Sequence, residues 1–115
     1  MAISTELLKG TLSTIILRLL ENSERMYGYE LTQYVKESTK GKILLKEGSL
    51  YPALHKLEAD GLIVSEAVYI GKRMRKYYSL TPKGKVSTKK SVNELLDFLN
   101  IIEQLITTNP EYGTT

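Results

Sequence analysis

Glu47-Gly48-Ser49-Leu50-Tyr51-Pro52-Ala53-Leu54-His55-Lys56-Leu57-Glu58-Ala59-Asp60-Gly61-Leu62-Ile63 reads as one short helix with two differently built faces. Leu50, Ala53, Leu54 and Leu57 recur at helical spacing and form a stripe for burial. Gly48, Tyr51, Pro52, His55 and Ala59 fall on the far side, flanked by Ser49 and Lys56. A face of small, hydroxyl, aromatic and basic groups can enter a major groove without setting carboxylate against phosphate. Glu47-Gly48-Ser49 is the expected capping region, and Gly61 sits where a left-handed C-cap would stop the helix.

Upstream of this helix, Thr5 to about Glu21 carries Leu8, Leu12, Ile15, Ile16, Leu19 and Leu20 in a broad apolar stripe, widened by Leu7 and Leu17. So wide an arc is expected to meet both its own core and a second subunit, and a buried central helix in a monomer would carry the same pattern. A turn around Glu24-Arg25-Met26 precedes a helix from about Gly28 to Ser38, with Leu31, Tyr34 and Val35 inward and its end marked by Thr39-Lys40-Gly41. Ile43, Leu44 and Leu45 pack under the next helix or form a short strand.

Downstream, Leu62 to Ile70 reads as a strand, Gly71 to Met74 as a turn and Arg75 to Leu80 as a second strand. Three helices followed by a hairpin give the order of a winged helix-turn-helix, a mainly α (α+β) fold. Thr81 as N-cap and Pro82 at the first helical position then start a helix reaching about Thr107. Within it Val92, Leu95, Leu99, Ile102 and Ile106 follow heptad spacing, and Leu96, Phe98, Ile101 and Leu105 add a second apolar flank. One winged-helix core cannot cover both, so this helix is expected to pack against its copy and against the first helix of a partner chain, with a long helix folding back on its own domain as the plainer alternative. The organisation is therefore a DNA-binding unit over 1–81, a C-terminal dimerisation helix over 82–108 and a flexible tail over 109–115. Leu8, Leu12 and Ile15 join Val92, Leu95, Leu99, Ile102 and Ile106 as expected dimer-interface residues.

The net charge of +3 hides an asymmetry. Lys36 through Lys90 holds 13 basic residues against 5 acidic ones, whereas the remainder holds 3 against 8. A basic middle between acidic ends is the footprint of a nucleic-acid surface on a neutral or acidic body. Lys72, Arg73, Arg75 and Lys76 cluster around the hairpin turn, suited to a minor groove and its flanking phosphates. A solvated turn that discourages strand pairing is the plainer reading of the same cluster. On the helix, Ser49 and Tyr51 offer hydroxyls, Pro52 an apolar surface for a thymine methyl, and His55 and Lys56 reach phosphate or base. Ser49 and Pro52 also suit a helix start, and Tyr51 a core contact. Of Tyr77 and Tyr78, on opposite faces of one strand, at most one is free.

Three ordered segments carry a family resemblance. Ser49 to Leu57 with Gly61-Leu62-Ile63 looks like the recognition-helix signature of PadR-type transcriptional regulators. Tyr27-Gly28-Tyr29-Glu30-Leu31 and Arg75-Lys76-Tyr77-Tyr78-Ser79-Leu80-Thr81-Pro82-Lys83-Gly84 are similar to that family's other hallmark segments. The resemblance runs from about Leu8 to about Leu105 and suits the short-tailed subfamily. It implies a wing that contacts DNA, tyrosines such as Tyr29 near the DNA backbone, and a repressor released by a small aromatic or hydrophobic effector. It places that effector between the first and last helices, here near Leu8, Leu12, Ile15, Phe98 and Ile102. The chain has no Trp, so a pocket of stacked indoles is not expected.

Other classes find little support. The chain has no Cys, one His, no P-loop, no G-x-G-x-x-G and no carboxylates paired at metal spacing, so neither enzyme nor cofactor nor metal site is expected. No segment reads as a signal peptide or membrane span, and the cytoplasm is the expected compartment. The expected partners are double-stranded DNA bearing an inverted repeat, a second copy of the chain and a small effector. A winged-helix protein-interaction module or a non-specific nucleic-acid binder is the competing reading.

Overall fold

The computed structural model describes residues 5–109, and all of the tail expected over 109–115 except Asn109 lies outside them. Among the described residues, five helices and three strands follow in the order α1 (Thr5–Lys9), α2 (Leu12–Glu21), β1 (Met26–Tyr27), α3 (Gly28–Ser38), α4 (Glu47–Ala59), β2 (Ile63–Ile70), β3 (Arg73–Leu80) and α5 (Pro82–Thr107). The sheet is antiparallel with β3 in the centre, between β1 and β2.

The first helix divides in two. Gly10 and the β-branched Thr11 are poor helix formers. Both the amide and the hydroxyl of Thr11 donate to the Leu8 carbonyl at 2.9 Å, which closes α1 before α2 begins. Leu8, Leu12, Ile16, Leu17 and Leu20 enter the core, Ile15 and Leu19 pack against it half-buried, and Leu7 stays exposed rather than widening the stripe.

Helix α3 has the expected span and buries Leu31 and Val35, but Tyr34 stands 51% exposed instead of pointing inward. It closes through Lys40 and Gly41, both with positive φ, and the Thr39 hydroxyl, which donates to the Val35 carbonyl at 2.7 Å and accepts the Ile43 amide at 3.0 Å. The linker forms no strand. Leu45 is buried in it and Leu44 exposed.

Helix α4 begins at Glu47 with Lys46 as N-cap and no side-chain cap, so Ser49 is a first-turn residue and not a cap. Its end is a Schellman turn, in which the Leu62 amide donates to the Leu57 carbonyl and the Gly61 amide to the Glu58 carbonyl, each at 3.0 Å. Gly61 has φ +76°, a conformation disfavoured for residues with a Cβ.

The hairpin turn is shorter than its sequence suggests. Ile70 pairs with Arg73, so only Gly71 and Lys72 form the loop, and Arg73 and Met74 belong to the strand. Gly71 has φ +63°, which suits the first position of a two-residue hairpin turn. The turn expected around Glu24-Arg25-Met26 runs into β1, whose Met26 and Tyr27 pair with Tyr78 and Tyr77.

Helix α5 starts where Thr81 and Pro82 direct it. The Thr81 hydroxyl accepts the Gly84 amide at 3.0 Å and donates to the Gly61 carbonyl at 2.7 Å, while the Thr81 amide donates to the Leu62 carbonyl at 3.1 Å. The Lys83 ammonium donates to the Asp60 carbonyl at 3.0 Å. Gly84 lies against Leu62 so closely that a Cβ would collide with the Leu62 carbonyl. The start of α5 is thus fastened to the end of α4. Beyond Gly84 and Thr88, the last buried residues of α5, its apolar side chains are half-buried or exposed.

Gly84→Ala should therefore destabilise the chain by about 1–3 kcal/mol, the range for overpacking a close contact. Urea unfolding reads this directly, and an unchanged midpoint would contradict the junction as described.

Candidate nucleic-acid interface

Burial of Leu50, Leu54 and Leu57 sets the rotation of α4 about its axis and so decides which side chains leave the domain. Gly48, Pro52, His55, Lys56 and Ala59 are exposed on the outward side, with Tyr51 on one flank and the half-buried Ser49 on the other. Ala53, expected in the buried stripe, is half-buried at its margin. Pro52 lies inside the helix, where it cannot donate to the Gly48 carbonyl. The expected contact residues on α4 therefore share one surface but fan out over two clefts.

The first cleft, about 540 Å³, lies between α4 and the wing and is lined by Tyr27, Gly28, Tyr29, Tyr51, His55, Arg73, Met74, Arg75, Lys76 and Tyr78. Six of the ten residues expected at a DNA contact line this cleft, namely Tyr29, Tyr51, His55, Arg73, Arg75 and Lys76, and Lys72 precedes Arg73 in the hairpin loop outside it. Ser49, Pro52 and Lys56 line a second cleft on the other flank of α4, about 790 Å³, together with Leu8 and Leu12.

Tyr51 occupies the space above Gly28, where a Cβ would collide with its hydroxyl and stand 3.0 Å from Cζ. The glycine between Tyr27 and Tyr29 thus admits the tyrosine of the next helix, and Tyr51 couples the N-terminal ends of α3 and α4. Tyr51 is 36% exposed, so it is neither wholly core nor wholly free. Tyr29 is exposed and stacks on Tyr27 with centroids 6.4 Å apart. Of the adjacent strand tyrosines, Tyr78 is the buried one. Its phenol is pushed above the ordinary value of 10.0, chiefly by desolvation and then by the charges of Glu58 and Tyr51. Tyr77 is half-buried on the opposite face.

The cations differ in their surroundings. Lys56 lies 3.3 Å from Asp60 in an exposed pair one helical turn apart, worth a few tenths of a kcal/mol at most. Arg75 stacks over the Tyr27 ring, and Lys76 faces Glu58 at 4.0 Å. Among the described residues, the side chains of Lys72, Arg73 and His55 have no ion pair, hydrogen bond or ring contact. No group of three or more His, Cys, Asp or Glu is placed to hold a metal ion, and no helix is long and apolar enough to cross a membrane, among the described residues.

A helix with an exposed polar face beside a basic two-stranded wing defines the winged-helix class of transcriptional regulators. Residues 16–90 match the model of the transcriptional regulator PadR-like family. The chain belongs to that family, one of transcriptional regulators and not of enzymes. It is 35% identical over 106 residues to an uncharacterised protein of Lysinibacillus sphaericus, covering 88% of this chain and 93% of that one. A PadR family transcriptional regulator from Eggerthella lenta superposes with a TM-score of 0.78 at 30% identity, over 91% of this chain and 89% of that one. Bacillus subtilis PadR in complex with operator DNA superposes with a TM-score of 0.64 at 32% identity, over 70% of this chain and 46% of that longer one.

Gly28 was not singled out from sequence, although a glycine between two tyrosines at a helix start is a visible signal. Gly28→Ala should expel the Tyr51 ring and weaken duplex binding about ten-fold, close to 1.4 kcal/mol. Anisotropy titration of a labelled duplex measures it, and wild-type affinity in this variant would contradict a role for Tyr51 at the interface.

Proposed function

We propose that this chain represses transcription as a homodimer, with α4 of each protomer in the major groove of one half of an inverted repeat and each wing beside the adjacent backbone. The observation that carries this reading is the cleft that brings Tyr51 and His55 of α4 against Arg73, Arg75 and Lys76 of the wing. The relative solved with operator DNA supports it. A two-fold dimer calls for half-sites one helical turn apart, about 10 base pairs.

The dimer rests on α5. Leu96, Phe98, Leu99, Ile101, Leu105 and Ile106 are each between 49% and 75% exposed, apolar surface that the packing of α5 on α2 and β3 leaves uncovered. Of the expected seam, Leu99 and Ile106 are exposed, while Val92, Leu95 and Ile102 are half-buried. Leu8 and Leu12 are committed to the protomer's own core at 8% and 6% exposure, and Ile15 packs against it, so their share of a partner contact is small. The effector reading draws on the same residues. Phe98 and Ile102 lie on the projecting helix, and Leu8 and Leu12 open onto the cleft beside Pro52. A small aromatic or apolar molecule held between these elements needs the partner's α5 to close its site.

Binding is tested with a duplex from the region upstream of the chain's own reading frame, against a scrambled duplex, across a salt series. The expected preference is about 10³ or more, surviving physiological salt. Equal, salt-sensitive binding to both would favour a non-specific nucleic-acid binder.

The dimer is tested by sedimentation. The wild-type chain is expected at twice its 13.0 kDa mass, and Leu99→Asp at 13.0 kDa with loss of operator binding. A wild-type monomer at micromolar concentration would rule the dimer out.

A further inference from the structure

We propose that the four cations of the wing divide into two pairs, in which Arg75 and Lys76 hold the hairpin in place while Lys72 and Arg73 reach the duplex. The proposal rests on the DNA-binding reading above and concerns which groups perform it.

Side chains alternate across a strand, so Arg73, Arg75 and Tyr77 share one face of β3, and Met74, Lys76 and Tyr78 share the other. Tyr78 is 1% exposed, which turns the second face toward the helices. There the Glu58 carboxylate of α4 accepts the Ser65 hydroxyl of β2 at 2.6 Å and stands 4.0 Å from the Lys76 ammonium. One carboxylate on the recognition helix thus holds both strands of the wing.

The first face is gripped from β1. The Arg75 guanidinium lies 4.6 Å from the centre of the Tyr27 ring, and that ring meets Tyr77 edge-on at 5.3 Å. Arg25 covers Tyr77 at 4.3 Å and donates to Glu66 of β2 at 3.2 Å. A two-stranded hairpin has little stability of its own and would swing without such contacts. The grips end at Arg75 and Lys76. Beyond them Met74, Arg73, Lys72 and Gly71 are exposed, and the side chains of Lys72 and Arg73 have no partner among the described residues.

The two roles differ in a measurable way. A cation placed on a phosphate releases counterions and contributes about 0.9 to the slope of log affinity against log salt. A cation held against a ring or a carboxylate of its own protein contributes to affinity by aiming the wing and leaves the slope unchanged. Arg75 and Lys76, with Tyr27 and Glu58 behind them, are on this assignment positioning residues.

The test is an anisotropy titration of the full chain on a duplex selected by it from a random library, between about 50 and 200 mM salt. Lys72→Ala and Arg73→Ala should each reduce the slope by about 0.9. Both residues are exposed, so neither variant should lose its fold. Arg75→Ala and Tyr27→Leu should lose affinity several-fold with the wild-type slope, whereas Tyr27→Phe, which keeps the ring face, should behave as wild type. The division is overturned if Arg75→Ala or Lys76→Ala reduces the slope by about 0.9, or if Lys72→Ala and Arg73→Ala leave it unchanged. In those cases the wild-type chain still selects and binds its duplex, so the DNA-binding reading stands. A wild-type chain that selects no duplex removes both.

Discussion

Three carbonyl oxygens at the end of α4, those of Asp60, Gly61 and Leu62, are the point on which the rest of the structure turns. The turn that closes a helix carries carbonyls outside the helical ladder, and here Lys83 and Thr81 supply donors to all three. The same few residues therefore end the recognition helix, start the wing and start the projecting helix. Gly84 allows this because it has no Cβ to meet the Leu62 carbonyl. The directions of α4, the hairpin and α5 are consequently set by one junction.

From that junction the interface follows by packing. Three buried leucines fix the roll of α4, which leaves Tyr51 and His55 facing the wing, and Ser49, Pro52 and Lys56 facing α1. The wing in turn is held by one carboxylate from α4 and by the Tyr27 ring of β1. None of these contacts is individually strong. Exposed ion pairs and cation–π contacts contribute about 1 kcal/mol or less apiece, so their effect is on orientation more than on stability.

Much of this was legible in the chain itself where local chemistry punctuates it. Gly61 at the end of α4, Thr81-Pro82 at the start of α5 and Lys40-Gly41 after α3 stand where the backbone needs them. The failures share a cause. Strand β1 is two residues long and has no period of its own; its existence depends on Tyr77 and Tyr78, about fifty residues away. Tyr34 has the spacing of a core residue but is half exposed, since among the described residues the core gathers on the Leu31 and Val35 side of α3. Thr11 competes locally for the Leu8 carbonyl and divides a helix whose apolar stripe runs on unbroken. At the candidate interface, the exposed face of α4 and the basic character of the hairpin could be read, because charge and amphipathicity are local properties.

By itself the sequence determined the winged-helix order, the outward face of α4, the basic character of the wing and the apolar excess of α5, since each is a matter of periodicity, capping or composition. Tertiary structure alone decided that Tyr51 needs Gly28, that Gly84 needs the bare Leu62 carbonyl, and that Arg75 and Lys76 are engaged within the protein while Lys72 and Arg73 are not. Those outcomes depend on which distant side chains meet in space, and four cations within five positions look alike until the sheet assigns each of them a face.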